Sequence, residues 1–200
     1  YREQALLVEK IKVSELENEL KMLRSQYHPH FLFNALNTVY FQVSRENNAA
    51  KQTIELLSDL LRYQLYNINQ EVTLEQEINY MQTYIEFQKQ RMTDSLQLRF
   101  DLNIHNVKLN IHPLLFQPLL ENAFKYVGGA YRIDIAMKQS KDNLIFHISN
   151  SIPEGETAHS KKGGIGLANL KRRLDLLYPD KHLLNIKQEE KSFVVELILN

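Results

Sequence analysis

The chain has 200 residues, 44% apolar and 24% charged, enough to build one large domain or two small ones. Lys plus Arg number 24 and Asp plus Glu number 24, so no net field draws the chain to nucleic acid or anionic lipid. Cysteine is absent, which excludes disulfides, thiolate metal sites and cysteine nucleophiles.

No run of about 18 apolar residues occurs, so no membrane-spanning helix is expected in this chain. It opens on Tyr1, in the middle of a helical pattern. That beginning reads as an excised fragment of a longer protein. Any contact with a membrane would then run through the missing N-terminal region. Residues 3–26 lack Gly and Pro, and Leu6, Val13 and Leu20 repeat every seven residues, with Leu16 and Leu23 in the d positions. The pattern predicts a coiled-coil-like linker helix over 1–27 and a homodimer along its seam. A surface helix packed on its own domain is the alternative.

Pro29 interrupts, and proline is tolerated in a first helical turn. Helices are expected over 30–45, 49–66 and 73–91, the last opened by Thr73 and Gln76 as a capping box. The periodicity then changes near Asp94. Leu96, Leu98, Phe100, Leu102 and Ile104 alternate as a half-buried strand does. A helix from Pro113 to Tyr126, strands over 132–138 and 144–149, a helix over 167–177 and strands over 184–188 and 193–199 complete the reading. The fold class is α+β: a helical region over 28–94, then an α/β part over 95–200, with the hinge at residues 92–95.

Three motifs carry the chemistry. In His28-Pro29-His30-Phe31-Leu32-Phe33-Asn34, Leu32, Leu36, Val39 and Val43 form one stripe of a helix. His30, Asn34 and Asn37 share the opposite face, and a neutral imidazole there is a nucleophile at neutral pH. Local chemistry alone leaves His28 open as well. In Leu119-Leu120-Glu121-Asn122-Ala123-Phe124-Lys125-Tyr126, Asn122 and Lys125 share a face, where an amide oxygen suits Mg²⁺ and an ammonium suits phosphate. In Gly163-Gly164-Ile165-Gly166-Leu167, glycines before a helix let backbone N–H groups approach an anion, with Lys161, Lys162, Lys171, Arg172 and Arg173 alongside. The glycine run is not a Walker A loop, because no Gly-Lys-Ser/Thr follows.

These three motifs, in this order, resemble the LytS/YehU-type sensor histidine kinases of two-component systems, over nearly nine-tenths of the chain. The resemblance implies a helical dimerisation and phospho-acceptor region. After it comes an α/β-sandwich ATPase domain of the type shared by gyrase, heat-shock chaperones and histidine kinases. It implies ATP and Mg²⁺ as cofactors and, as partners, a second copy of the chain and the receiver aspartate of a response regulator. By the same resemblance His30 rather than His28 is the phospho-acceptor, and Asn122 holds Mg²⁺ on ATP. Lys125 contacts phosphate and Tyr126 lies beside adenine. Gly164 and Gly166 line the phosphate side with Leu167 next to them, and residues 153–162 form a lid. Asn34, one turn from His30, is a candidate for positioning or phosphatase chemistry. The chain departs from many relatives at Asn150, which stands in Ile148-Ser149-Asn150-Ser151-Ile152 where they carry the adenine-binding aspartate of Asp-x-Gly-x-Gly. It also has Phe31 where other histidine-kinase classes place an acid. A hydrolytic ATPase and a nucleotide-binding scaffold without kinase activity are the two competing expectations.

Overall fold

The computed structural model describes residues 29–67, 70–92, 95–140, 143–153 and 165–200, with backbone alone at 29, 30 and 165. The heptad seam, His28, most of the expected lid, Gly163 and Gly164 fall outside the described residues. The chain divides into two compact units between Ser58 and Asp59. The packing boundary therefore lies inside a helix, well before the change of periodicity near Asp94.

The first unit contains α1, Pro29–Gln42, and most of α2, Asn48–Tyr66. Leu32, Leu36 and Val43 of the expected stripe are half-buried, Val39 is 48% exposed, and Asn34 and Asn37 are exposed. The Tyr40 hydroxyl donates to Glu55 Oε1 at 3.0 Å, which ties α1 to α2.

The second unit holds the end of α2, then β1 (Val72–Thr73), α3 (Leu74–Lys89), β2 (Gln97–Asn103), β3 (Asn110–Ile111), α4 (Gln117–Tyr126), β4 (Arg132–Ser140), β5 (Asn143–Ser151), α5 (Ile165–Leu177), β6 (His182–Gln188) and β7 (Ser192–Leu199). Five strands form one sheet in the order β2-β4-β5-β7-β6. Only β2 and β4 pair in parallel, and the other neighbours are antiparallel. Leu144, Phe146 and Ile148 of β5, Ile133, Ile135 and Met137 of β4, and Val195, Leu197 and Leu199 of β7 point to one buried face. Period-2 alternation puts them there. Onto that core pack Leu119, Leu120, Ala123 and Phe124 of α4 and Leu167, Leu170 and Leu174 of α5. Leu74, Ile78, Met81 and Ile85 of α3 complete it, so α3 belongs to the sheet's own core rather than to a separate helical bundle. The result is a mixed sheet covered by helices, the α+β class the pattern predicts.

Thr73 caps α3 as expected. Its hydroxyl accepts from Gln76 N at 3.3 Å, and Gln76 Oε1 accepts from Thr73 N at 2.9 Å. The two-strand ribbon of β1 and β3 has no counterpart in the sequence reading. Val72 pairs with Ile111, and Leu74 N donates to Leu109 O at 2.7 Å, stitching the entry of α3 to the segment before α4. The helix expected from Pro113 begins only at Gln117. Residues 113–116 instead form a turn, with Leu114 at a φ of 57° that costs a branched side chain energy.

Candidate nucleotide and phospho-acceptor site

The turn before α4 is held from two sides, and this fixes where the amide and lysine of α4 sit. Glu77 of α3 is fully buried. Its carboxylate accepts from Leu114 N at 2.9 Å, Leu115 N at 3.0 Å and the Tyr63 hydroxyl at 2.6 Å. Burial pushes the Glu77 carboxyl above its ordinary range, while these donors pull it back. Burial, and then the neighbouring Glu77 charge, push the Tyr63 hydroxyl far up, so it acts as a donor. From the other side Arg173 of α5 donates to Pro113 O at 2.7 Å and Leu114 O at 3.2 Å. Both the N–H and the C=O groups of a strained buried turn are thereby paired. Neither Glu77 nor Arg173 in this role was legible in the sequence. Arg173 stood there as one of five cations near the glycines, yet two of its donors go to backbone carbonyls.

On α4 itself, Asn122 is half-buried, Lys125 is exposed and Tyr126 is half-buried. The Lys125 ammonium lies over the Tyr126 ring, 5.2 Å from its centroid. Pro118 stands in the first turn of α4, four residues before Asn122.

Asn150 occupies the fourth inward position of β5, after Leu144, Phe146 and Ile148, where alternation calls for an apolar residue. It is 2% exposed. Its Nδ2 donates to Ser151 O at 3.2 Å, which leaves Oδ1 as the group presented away from the backbone. Ser151 organises the end of β5. Its hydroxyl donates to Gly128 O at 2.7 Å and accepts from Arg132 N at 2.9 Å, while Gly128 N donates to Ser151 O at 3.0 Å. The chain leaving α4 is thus bound to the strand that carries Asn150. Glycine is required at that crossing: a Cβ on Gly128 would stand 2.8 Å from Pro153 Cγ, and Gly129 has a φ of 62°.

Leu167 is buried in the core. Gly166 is exposed in the first turn of α5, with no atom within 4 Å of where a Cβ would stand, so packing does not require glycine there. Residue 30 lies in the first turn of α1, and Asn34 one turn on is exposed, its carbonyl accepting from Thr38 Oγ1 at 2.8 Å.

A cleft of about 340 Å³ opens between α3 and α4, lined by Tyr84, Gln88, Arg91, Met92, Glu121, Phe124 and Lys125. Burial pushes the Tyr84 hydroxyl up to about 12; Glu121 adds to the rise and Arg91 opposes it, so both charges are felt at this hydroxyl. Among the described residues no group of three or more acidic or histidine side chains is placed to hold a metal ion by itself. No helix there is long and apolar enough to cross a membrane.

Residues 18–96 match the family model described as histidine kinase. The sensor histidine kinase BtsS of Escherichia coli strain K12 is 26% identical over 189 residues, covering 92% of this chain and 34% of that protein. The sensor protein LytS of Streptococcus agalactiae is 28% identical over 190 residues, covering 87% and 32%. The sensor protein kinase HptS of Staphylococcus aureus is 29% identical over 130 residues, covering 65% and 25%. The chain thus spans about a third of the length of the curated relatives it matches over most of its length. Among solved structures, the histidine kinase domain of a blue-light activated kinase from Erythrobacter litoralis aligns over 94% of this chain and 93% of its own, at 13% identity and a TM-score of 0.48. With the three motifs in order along the chain, these matches make it similar, over most of its length, to sensor histidine kinases of the LytS type.

Proposed function

We propose that the chain is the catalytic portion of a two-component sensor kinase, which moves the γ-phosphoryl group of ATP onto His30 and from there to an aspartate of a response regulator. The observation that carries this is the arrangement of the second unit. Asn122, Lys125 and Tyr126 are aligned on α4, and a buried amide sits at the end of β5, joined to α4 through Ser151 and Gly128. An ATP site needs an oxygen ligand for its metal, a cation for its phosphates and a buried polar group for its base. Asn150 Oδ1 is an acceptor for the adenine amino group, and Tyr126 is an aromatic surface beside it.

In the transfer, an imidazole nitrogen of His30 forms a bond to the γ-phosphorus as the bond to the β,γ-bridging oxygen breaks. ADP leaves, and the proton on the attacking imidazole is lost to solvent. Lys125 offsets charge on the phosphoryl oxygens, and Asn122 supplies an amide oxygen to Mg²⁺. When bound, that cation neutralises charge on the polyphosphate. Asn34 positions a water or the imidazole one turn away on α1.

In functional terms, residues 1–27 are a linker helix, 28–94 carry dimerisation and the phospho-acceptor, and 95–200 carry the nucleotide chemistry. Packing adds α3 to that last part. The working protein is a homodimer on the cytoplasmic side of a membrane. A hydrolytic ATPase is the competing reading, and the apolar ring of Pro118 in place of a water-activating glutamate disfavours it. The reading is tested by incubating the chain with Mg²⁺ and ATP. Acid-labile, alkali-stable phosphate should accumulate on the parent and be lost from Asn122→Ala. Release of inorganic phosphate without any protein-bound phosphate would instead identify an ATPase.

A further inference from the structure

The cleft between α3 and α4 has no part in the reading so far, apart from its edge at Lys125. Its lining is unusual for a helix–helix groove. Two cations, Arg91 and Lys125, share it with one carboxylate, Glu121, and with the Tyr84 hydroxyl and the Gln88 amide. Arg91 lies just past the C-terminus of α3, exposed, with its guanidinium 5.8 Å from the Phe87 ring centroid. Among the described residues neither Arg91 nor Lys125 forms an ion pair with a carboxylate. Two cations against one carboxylate leave the space with an excess of positive charge, and an anion between them relieves that.

We propose that Arg91 is a second phosphate-binding cation of the nucleotide site, reaching from α3 to the terminal phosphate while Lys125 holds the chain of phosphates from α4. The inference rests on the nucleotide reading above and deepens it. Glu121 fits the same picture. A carboxylate would repel a bare phosphate, but a nucleotide arrives with Mg²⁺, and Glu121 lines the cleft. Carboxylate and amide oxygens are the ligands Mg²⁺ takes. The cleft therefore suits a magnesium-bearing polyphosphate rather than a free anion. Its position also gives Arg91 a discriminating role. ADP and ATP share every feature expected to meet Asn150, Tyr126 and Asn122, and differ in the group that Arg91 would reach. Its planar fork can engage two oxygens of one phosphoryl group, which lysine cannot reproduce.

The experiment measures binding of ADP and of a non-hydrolysable ATP analogue, both with Mg²⁺, to the full chain and to Arg91→Ala and Arg91→Lys. Arg91 is exposed, so thermal unfolding of the variants should match the parent. Loss of one charge-assisted contact predicts an analogue affinity lower by about tenfold in Arg91→Ala, with ADP affinity within about twofold of the parent. Arg91→Lys should fall between. Unchanged affinity for both nucleotides, or an equal fall for both, overturns the assignment of Arg91 to the terminal phosphate while leaving the nucleotide site standing. A parent chain that binds neither nucleotide overturns the underlying reading instead.

Discussion

Asn150 shows how a single polar residue in an apolar register can be read in two stages. From sequence, its amide is free to turn, accepting from adenine or donating to a guanine carbonyl. In the structure, Nδ2 donates to Ser151 O, which leaves the oxygen as the accepting atom. An aspartate at this position would set a carboxylate oxygen against that carbonyl in a buried place. Asn150→Asp is therefore expected to lose about 1–3 kcal/mol of stability without nucleotide, measured by urea unfolding. A variant as stable as the parent would show that the tie to Ser151 is not maintained. Glu77 makes the opposite point, since nothing in its sequence neighbourhood marks it. Replacing it by Gln sets an amide N–H against backbone N–H donors, at a cost of about 1–3 kcal/mol. Its titration carries a sign. The folded chain holds the Glu77 proton to higher pH than the unfolded chain, whose carboxyl titrates near 4.5. Ionisation therefore opposes folding, and stability falls as pH rises from there through the folded pKa. The parent's advantage over Glu77→Gln should shrink as pH rises above about 4.5, and an advantage that grows would contradict the raised pKa.

Elements were legible where periodicity was long and uninterrupted. The alternation of Leu144, Phe146 and Ile148 and the capping box at Thr73 both led to the observed strand and helix. Losing the Thr73 hydroxyl in Thr73→Ala should cost about 1 kcal/mol, seen as a lower urea midpoint with an unchanged slope. A variant with the parent's midpoint would mean that the β1–β3 ribbon alone holds the entry of α3. The short pieces were not legible. Two-residue strands such as Val72–Thr73 carry no period, and their pairing with Asn110–Ile111 depends on a partner nearly forty residues away. The start of α4 was misplaced for a related reason. Pro113 is a good opening residue locally, but Glu77 and Arg173, both distant in sequence, hold residues 113–116 in a turn.

At the scale of the whole chain, the switch from helical to alternating pattern near Asp94 separates secondary-structure types, not packing units. The units part within α2, because α3 gives its apolar face to the sheet. The site follows the same division. The candidate residues Asn122 and Asn150, 28 apart in sequence, lie on α4 and β5, which pack together, whereas the motif with Asn34 stands in the other unit. Transfer of the phosphoryl group to the histidine at position 30 is tested by mapping the phosphorylated residue after incubation with Mg²⁺ and ATP. Phosphate is expected on His30 alone, with loss of labelling in His30→Ala while that variant still binds nucleotide as the parent does. Phosphate on His28, or undiminished labelling of His30→Ala, would contradict it.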